Sequence, residues 1–214
     1  MDKSKISTKT IVRYIRDFSI VVAGIAVTLY VNYQVTNRSE KRDLKLYLND
    51  IKLELEENNR ILDKTIEDLE PSVKYSAYLM SHDKKSLNKD TLESYNNAYY
   101  SASIPSFKTN AFEMFKNSGA MRLMDNKELL LSLWDVYDEF RSVTETFDWF
   151  IPAKWEDIKK EVILRKDGQE VKIAPMYNFY ILDIPSQMLR PCERALKKSK
   201  EMVSKLENAK MIKQ

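Results

Sequence analysis

The sequence predicts a mainly α protein: a single N-terminal transmembrane helix continuing into a helical bundle, with one small β-hairpin near residues 162–173. Three observations carry that expectation. Only three of 214 residues are glycine, where the usual share of about 7% would give roughly fifteen. Twenty consecutive residues, Phe18 to Asn37, carry no formal charge. Leucine then recurs every seven residues at Leu48, Leu55, Leu62 and Leu69, which is a helical period.

The glycine shortage excludes function classes as well as folds. Dinucleotide and P-loop sites need clustered glycines where the backbone approaches a phosphate, and Gly24, Gly119 and Gly168 stand far apart. The single histidine, His82, and the single cysteine, Cys192, are too few for a Cys/His zinc site or an internal disulfide. Charge is uneven. Residues 1–17 form a basic flank with five Lys or Arg against Asp2 and Asp17, and residues 190–214 carry eight against three Glu. A mildly acidic body therefore lies between two basic ends.

The first element, residues 18–37, reads as the membrane crossing. Twenty helical residues at about 1.5 Å each match the roughly 30 Å of a hydrocarbon core. Tyr30 and Tyr33 stand where an interfacial aromatic belt is expected, and Asn32 and Gln34 make the distal end polar. Ser19, Ala23 and Gly24 offer small side chains for close helix approach. Lys and Arg flank both ends, and the N-terminus is expected on the cytoplasmic side of the bilayer.

Residues 38–70 form the next element, a stalk-like helix. Leu44, Leu48, Ile51, Leu55, Leu62 and Leu69 lie on a seam whose other positions include Asn58 and Thr65. The pattern suits a coiled coil or a helix packed on its own domain, and Pro71 is expected to end it. Residues 71–214 make up the helical domain. Short helices are expected over 72–81 and 90–100. Another, capped by Thr109, should close at Gly119 in a left-handed conformation. Asp125 with Glu128 resembles a capping box for a core helix over 126–150, broken at Pro152.

Asp167-Gly168 between runs rich in β-branched residues predicts the hairpin. A last helix over 186–210 repeats the seam spacing with Leu189, Cys192, Leu196, Ser199, Val203 and Leu206. Its antiparallel pairing with the 38–70 helix would return the basic C-terminus towards the membrane.

The segments YLNDIKLELEENNRILD and TNAFEMFKNSGAMRLMDNKELLLSLWDVYDEF, following the apolar run, resemble a family of uncharacterised single-pass bacterial membrane proteins, a domain of unknown function. Tyr47-Leu48, Thr109, Ser118-Gly119 and Asn126 to Leu129 carry the likeness. Tyr33-Gln34-Val35 depart from the Asn-Trp exit usual there. The resemblance implies an inner-membrane protein of a Gram-negative bacterium and supplies no catalytic residues.

The chemistry-bearing residues are few. His82 sits beside Asp83, Lys84 and Lys85 in a polar stretch and reads as an exposed loop residue. Helical nucleases with an Arg-x4-6-His motif are excluded, because positions 75–77 are Tyr, Ser and Ala. Glu54 with Glu57, and Asp135 with Asp138, are spaced i,i+3 and could present oxygens to a magnesium ion, or form solvated helix faces. The aromatics Tyr95, Tyr99, Tyr100, Phe107, Phe112 and Phe115 are expected in a core.

The expected function is that of a non-enzymatic bitopic membrane protein, without cofactor or metal, whose helical domain mediates self-assembly or binds a membrane partner. Its partners would be the lipid membrane and a homo-oligomer or membrane protein, not nucleic acid. The alternatives are an oligomeric, pore-forming effector of a bacterial defence system, with Asn32 and Gln34 facing the pore, and a metal-dependent helical hydrolase.

Overall fold

The computed structural model describes residues 8–82, 104–166 and 175–209. Four α-helices and one 3₁₀ turn make up the described chain, without a strand among those residues: α1 Thr8–Ser81, α2 Asn110–Asn117, η1 Ala120–Leu123, α3 Lys127–Lys166 and α4 Pro175–Asn208. The protein is mainly α, as the glycine-poor composition predicts.

α1 is 74 residues long, on the order of 110 Å at 1.5 Å per residue. It joins the apolar run, the leucine seam and the expected 72–81 helix in one element. Pro71 does not end it. A proline inside a helix removes one backbone hydrogen bond and costs roughly 3 kcal/mol. Leu69, Ser72 and Ser76 are buried on one face around it, and that packing holds the helix in line. Pro152 likewise lies inside α3, and Pro185 and Pro191 inside α4.

The bundle forms on the distal part of α1. α4 runs antiparallel to it, with Lys52 bonded to Glu207 at 2.8 Å and Asp63 to Lys200 at 3.2 Å. α3 is antiparallel to α4: Arg194 and Lys198 both donate to Glu139, each at 2.7 Å, and further along α4 Lys205 donates to the earlier Ser132 at 3.3 Å. Burial alone would push the Glu139 carboxyl up, but the hydrogen bonds from Lys198 and Arg194 overcome it and lower the pKa. The buried line of α4 runs through Met188, Cys192, Ala195, Ser199, Met202 and Leu206. Cys192, Ser199 and Leu206 fall on the expected seam, while Leu189, Leu196 and Val203 are only partly buried beside it.

The hairpin expectation is corrected over its first strand. Residues 162–166 are the last turn of α3. A helix already nucleated over 35 residues adds β-branched positions at a penalty of well under 1 kcal/mol each. The turn and second strand, and the expected helix over 90–100 with Tyr95, Tyr99 and Tyr100, lie outside the described residues. α4 begins at Pro175, earlier than the expected start at 186.

Capping also differs in detail. The α3 cap is Asn126, whose Oδ1 accepts from Leu129 N at 2.9 Å. Asp125 is one residue too early. Gly119 has φ 73°, the left-handed conformation its position predicts.

Candidate functional site

Two regions of α1 concentrate the features that a function could use: an uncovered apolar stretch near the N-terminus, and a polar junction in the bundle beneath α2.

The apolar stretch lies outside the bundle. An 18-residue window has mean hydropathy 1.6, enough in length and composition to cross a membrane, and none of it is buried. Phe18 is 70% exposed and Leu29 64%. Serine and threonine inside such a helix satisfy themselves on the preceding turn: Ser19 Oγ donates to Ile15 O at 2.8 Å and Thr28 Oγ1 to Gly24 O at 2.9 Å. Gln34 Nε2 donates to the Tyr30 hydroxyl at 3.2 Å.

Helical spacing sorts the sequence-selected residues of this stretch into faces. At about 100° per residue, Ser19, Ala23, Tyr30 and Gln34 fall on one stripe. Gly24 lies off it, and a Cβ there would meet no atom within 4 Å. Asn32 is about 200° from Gln34, on the opposite side. The two therefore do not line a single face.

The leucine seam has a different environment. Leu48, Ile51, Leu55 and Leu62 are 0% exposed, with Leu44 and Leu69 nearly so. They are covered by the protein's own helices, so the stalk reading gives way to a helix packed on its own domain. Asn58, the polar seam residue, is also fully buried. Its Nδ2 donates to Lys108 O and its Oδ1 accepts from Lys108 N, both at 2.8 Å. One side chain thus closes the ring of bonds a neighbouring strand would make.

No protein-family model, curated protein or solved structure matches this chain.

One turn before Asn58, Glu54 is buried at the start of α2. Its Oε2 accepts from Ala111 N at 2.7 Å and its Oε1 from Phe112 N at 3.3 Å. The expected cap, Thr109, makes no side-chain capping bond. A carboxylate on another helix caps α2 instead, where free N–H groups and the helix dipole favour negative charge. Tyr137 of α3 donates to the same Oε1 at 2.6 Å. Burial, then the bond to Glu54, raises the Tyr137 pKa far above its ordinary range, so the phenol is a fixed donor. Its ring stacks on Phe112 with centroids 4.1 Å apart, and Phe107 stacks on Phe140 at 4.8 Å. Phe107, Phe112 and Phe115 pack the core as expected.

An open cleft of about 430 Å³ lies beside this junction, lined by Tyr47, Leu53, Glu57, Lys108 and Met114 among others. The acidic pairs sit differently from a metal site. Both Glu54 oxygens are held by protein donors, Glu57 turns outward to Arg60 and Lys108, and Asp138 pairs with Arg141 at 3.0 Å. No group of three metal-ligating side chains occurs among the described residues. His82 is exposed at the end of α1, its ring against Tyr78.

Sequence reasoning did not find the role of Glu54. The available signal was Glu54 and Asn58 at i,i+4 on a face otherwise made of leucine and isoleucine.

Proposed function

We propose that the protein is a non-enzymatic, single-pass membrane protein. Residues 18–37 anchor it, and the anchor carries its assembly with further copies or with another membrane component. The observation behind this reading is a contrast along one helix. From Leu44 onward the leucine and isoleucine seam residues of α1 are buried by the chain itself, while from Val12 to Val35 the large apolar residues are uncovered. In hydrocarbon, Leu, Ile, Phe and Val each gain about 0.3–0.6 kcal/mol at the centre of a span.

The leucine seam is already filled by the chain itself, whereas the anchor keeps an uncovered apolar surface that assembly can use. Ser19 and Ala23 give one end of a stripe where a neighbouring helix can approach closely, and Gln34, beside Tyr30 at the other end, offers it a hydrogen-bonding group. The family resemblance favours a bacterial inner membrane, and we place the N-terminus in the cytoplasm.

Carbonate extraction tests the anchor. The wild type is expected to stay with the membrane pellet. Val22→Arg with Ile25→Arg, together costing about 5–7 kcal/mol at the span centre, is expected to release it. Retention of the double variant, or release of the wild type, overturns the anchor. A strictly monomeric mass in nanodiscs, with no other protein co-purifying, overturns the assembly role.

A further inference from the structure

Resting on the membrane reading above, we infer that the face of α1 bearing Arg38, Lys41, Arg42 and Lys45 docks anionic phospholipid headgroups. These positions are spaced i, i+3, i+4 and i+7, so they form one stripe two turns long. The stripe starts at the first residue after the uncharged run. At 1.5 Å per residue it spans roughly the first 12 Å above the hydrocarbon, which includes the headgroup layer.

The cations of this stripe lack the carboxylate partners that several others on α1 have. Lys52 is bonded to Glu207 and Glu56, Arg60 to Glu57 and Lys74 to Glu70. Among the described residues, Arg38, Lys41 and Lys45 have no ion pair, and Arg42 reaches only its neighbour Asp43 at 3.9 Å. Glu40 lies about 200° from Arg38 and is taken by Arg122 of η1 at 3.3 Å.

The register of α4 explains why this face is open. Lys45 and Lys52 are seven residues apart and share a side of α1. Lys52 meets Glu207, and α4 ends at Asn208. Below that point the described helices leave Arg38, Lys41 and Arg42 exposed, with Lys45 half-buried at the upper end of the stripe. With the N-terminus in the cytoplasm the stripe faces the opposite leaflet, where a surface of anionic phosphates complements it by a charge attraction that weakens as salt rises. Because α1 is continuous, that contact also sets the rotation of the bundle over the bilayer.

The test uses the full chain in vesicles of phosphatidylcholine with or without phosphatidylglycerol. A fluorophore is placed at Asn49→Cys, exposed on the same face, while the buried Cys192 stays unlabelled. Quenching by headgroup-spin-labelled phosphatidylglycerol is expected to exceed that by the phosphatidylcholine equivalent several-fold. The preference should vanish in high salt and in the Arg38→Gln, Lys41→Gln, Arg42→Gln, Lys45→Gln variant. The milder Arg38→Gln, Lys41→Gln pair reads the same surface if the fourfold variant does not fold.

A second label at Ile25→Cys, quenched by an acyl-chain nitroxide, monitors insertion. A quenched Ile25 label with no phosphatidylglycerol preference, or a preference that survives the substitutions, overturns the headgroup surface alone. An unquenched Ile25 label overturns the membrane reading and this inference with it.

Discussion

Tyr137 of α3 donates its phenolic proton to Glu54 of α1 at 2.6 Å, and the same carboxylate caps the N-terminus of α2. Three helices thus meet on one side chain that is 8% exposed. Removing a donor from a buried charged acceptor costs about 1–3 kcal/mol. Tyr137→Phe is therefore expected to lower unfolding stability by about that amount. Glu54→Ala, which strips the cap from α2 and the partner from Tyr137, should cost more. Chemical denaturation of the detergent-solubilised protein checks both, and a double variant less destabilised than the sum of the two confirms that one junction is shared.

Asn58 and Ser199 give a second, opposed pair of expectations. Asn58 is bonded at both ends to Lys108, whereas Asn59 Oδ1 and Ser199 Oγ are buried without a hydrogen-bond partner among the described residues. An unsatisfied buried hydroxyl carries a desolvation penalty that an apolar group of similar shape avoids. Ser199→Ala is expected to stabilise by up to about 1 kcal/mol. Asn58→Ala is expected to destabilise by about 2 kcal/mol, since two backbone groups lose their partner. Equal shifts of the same sign in thermal unfolding would contradict this.

Glu139 gives the bundle a pH dependence. Its folded-state pKa is lowered by Lys198 and Arg194 against the opposing effect of burial. The native state therefore holds this proton less tightly than the unfolded chain does. The resulting stability is present above the unfolded carboxylate pKa and is lost as pH falls through the lowered folded value. Denaturation midpoints measured from pH 7 down into the acid range should decline for the wild type. Glu139→Gln should be less stable at neutral pH and show a shallower decline.

The sequence makes some of these relationships readable and hides others. Periodicity locates the buried faces of α1, α3 and α4, because a helix repeats its environment every three or four residues. Gly119 and its left-handed φ follow from local chemistry alone. Helix ends were harder. Pro71 and Pro152 read as terminators, yet side chains buried near them continue both helices, since tertiary packing outweighs a local penalty of a few kcal/mol. Val162 to Ile163 resemble a strand start only when the 35 helical residues before them are ignored. The capping role of Glu54 was not legible as such. It depends on residue 111 arriving beside residue 54, a contact with no local pattern, although a glutamate on an apolar face marks the position.

Cys192 closes the set of expectations. It lies on the buried line of α4, 0% exposed, and burial, aided by Glu193, pushes its thiol pKa up to about 12. The nucleophile in alkylation is the thiolate, so both access and ionisation are suppressed in the folded bundle. Maleimide should leave the native protein unmodified near neutral pH and label it stoichiometrically after denaturation. Destabilising variants such as Glu54→Ala should label faster than wild type, in proportion to the population of the opened bundle. Rapid labelling of the native wild type would mean that α4 does not stay packed on α1 and α3 at this position.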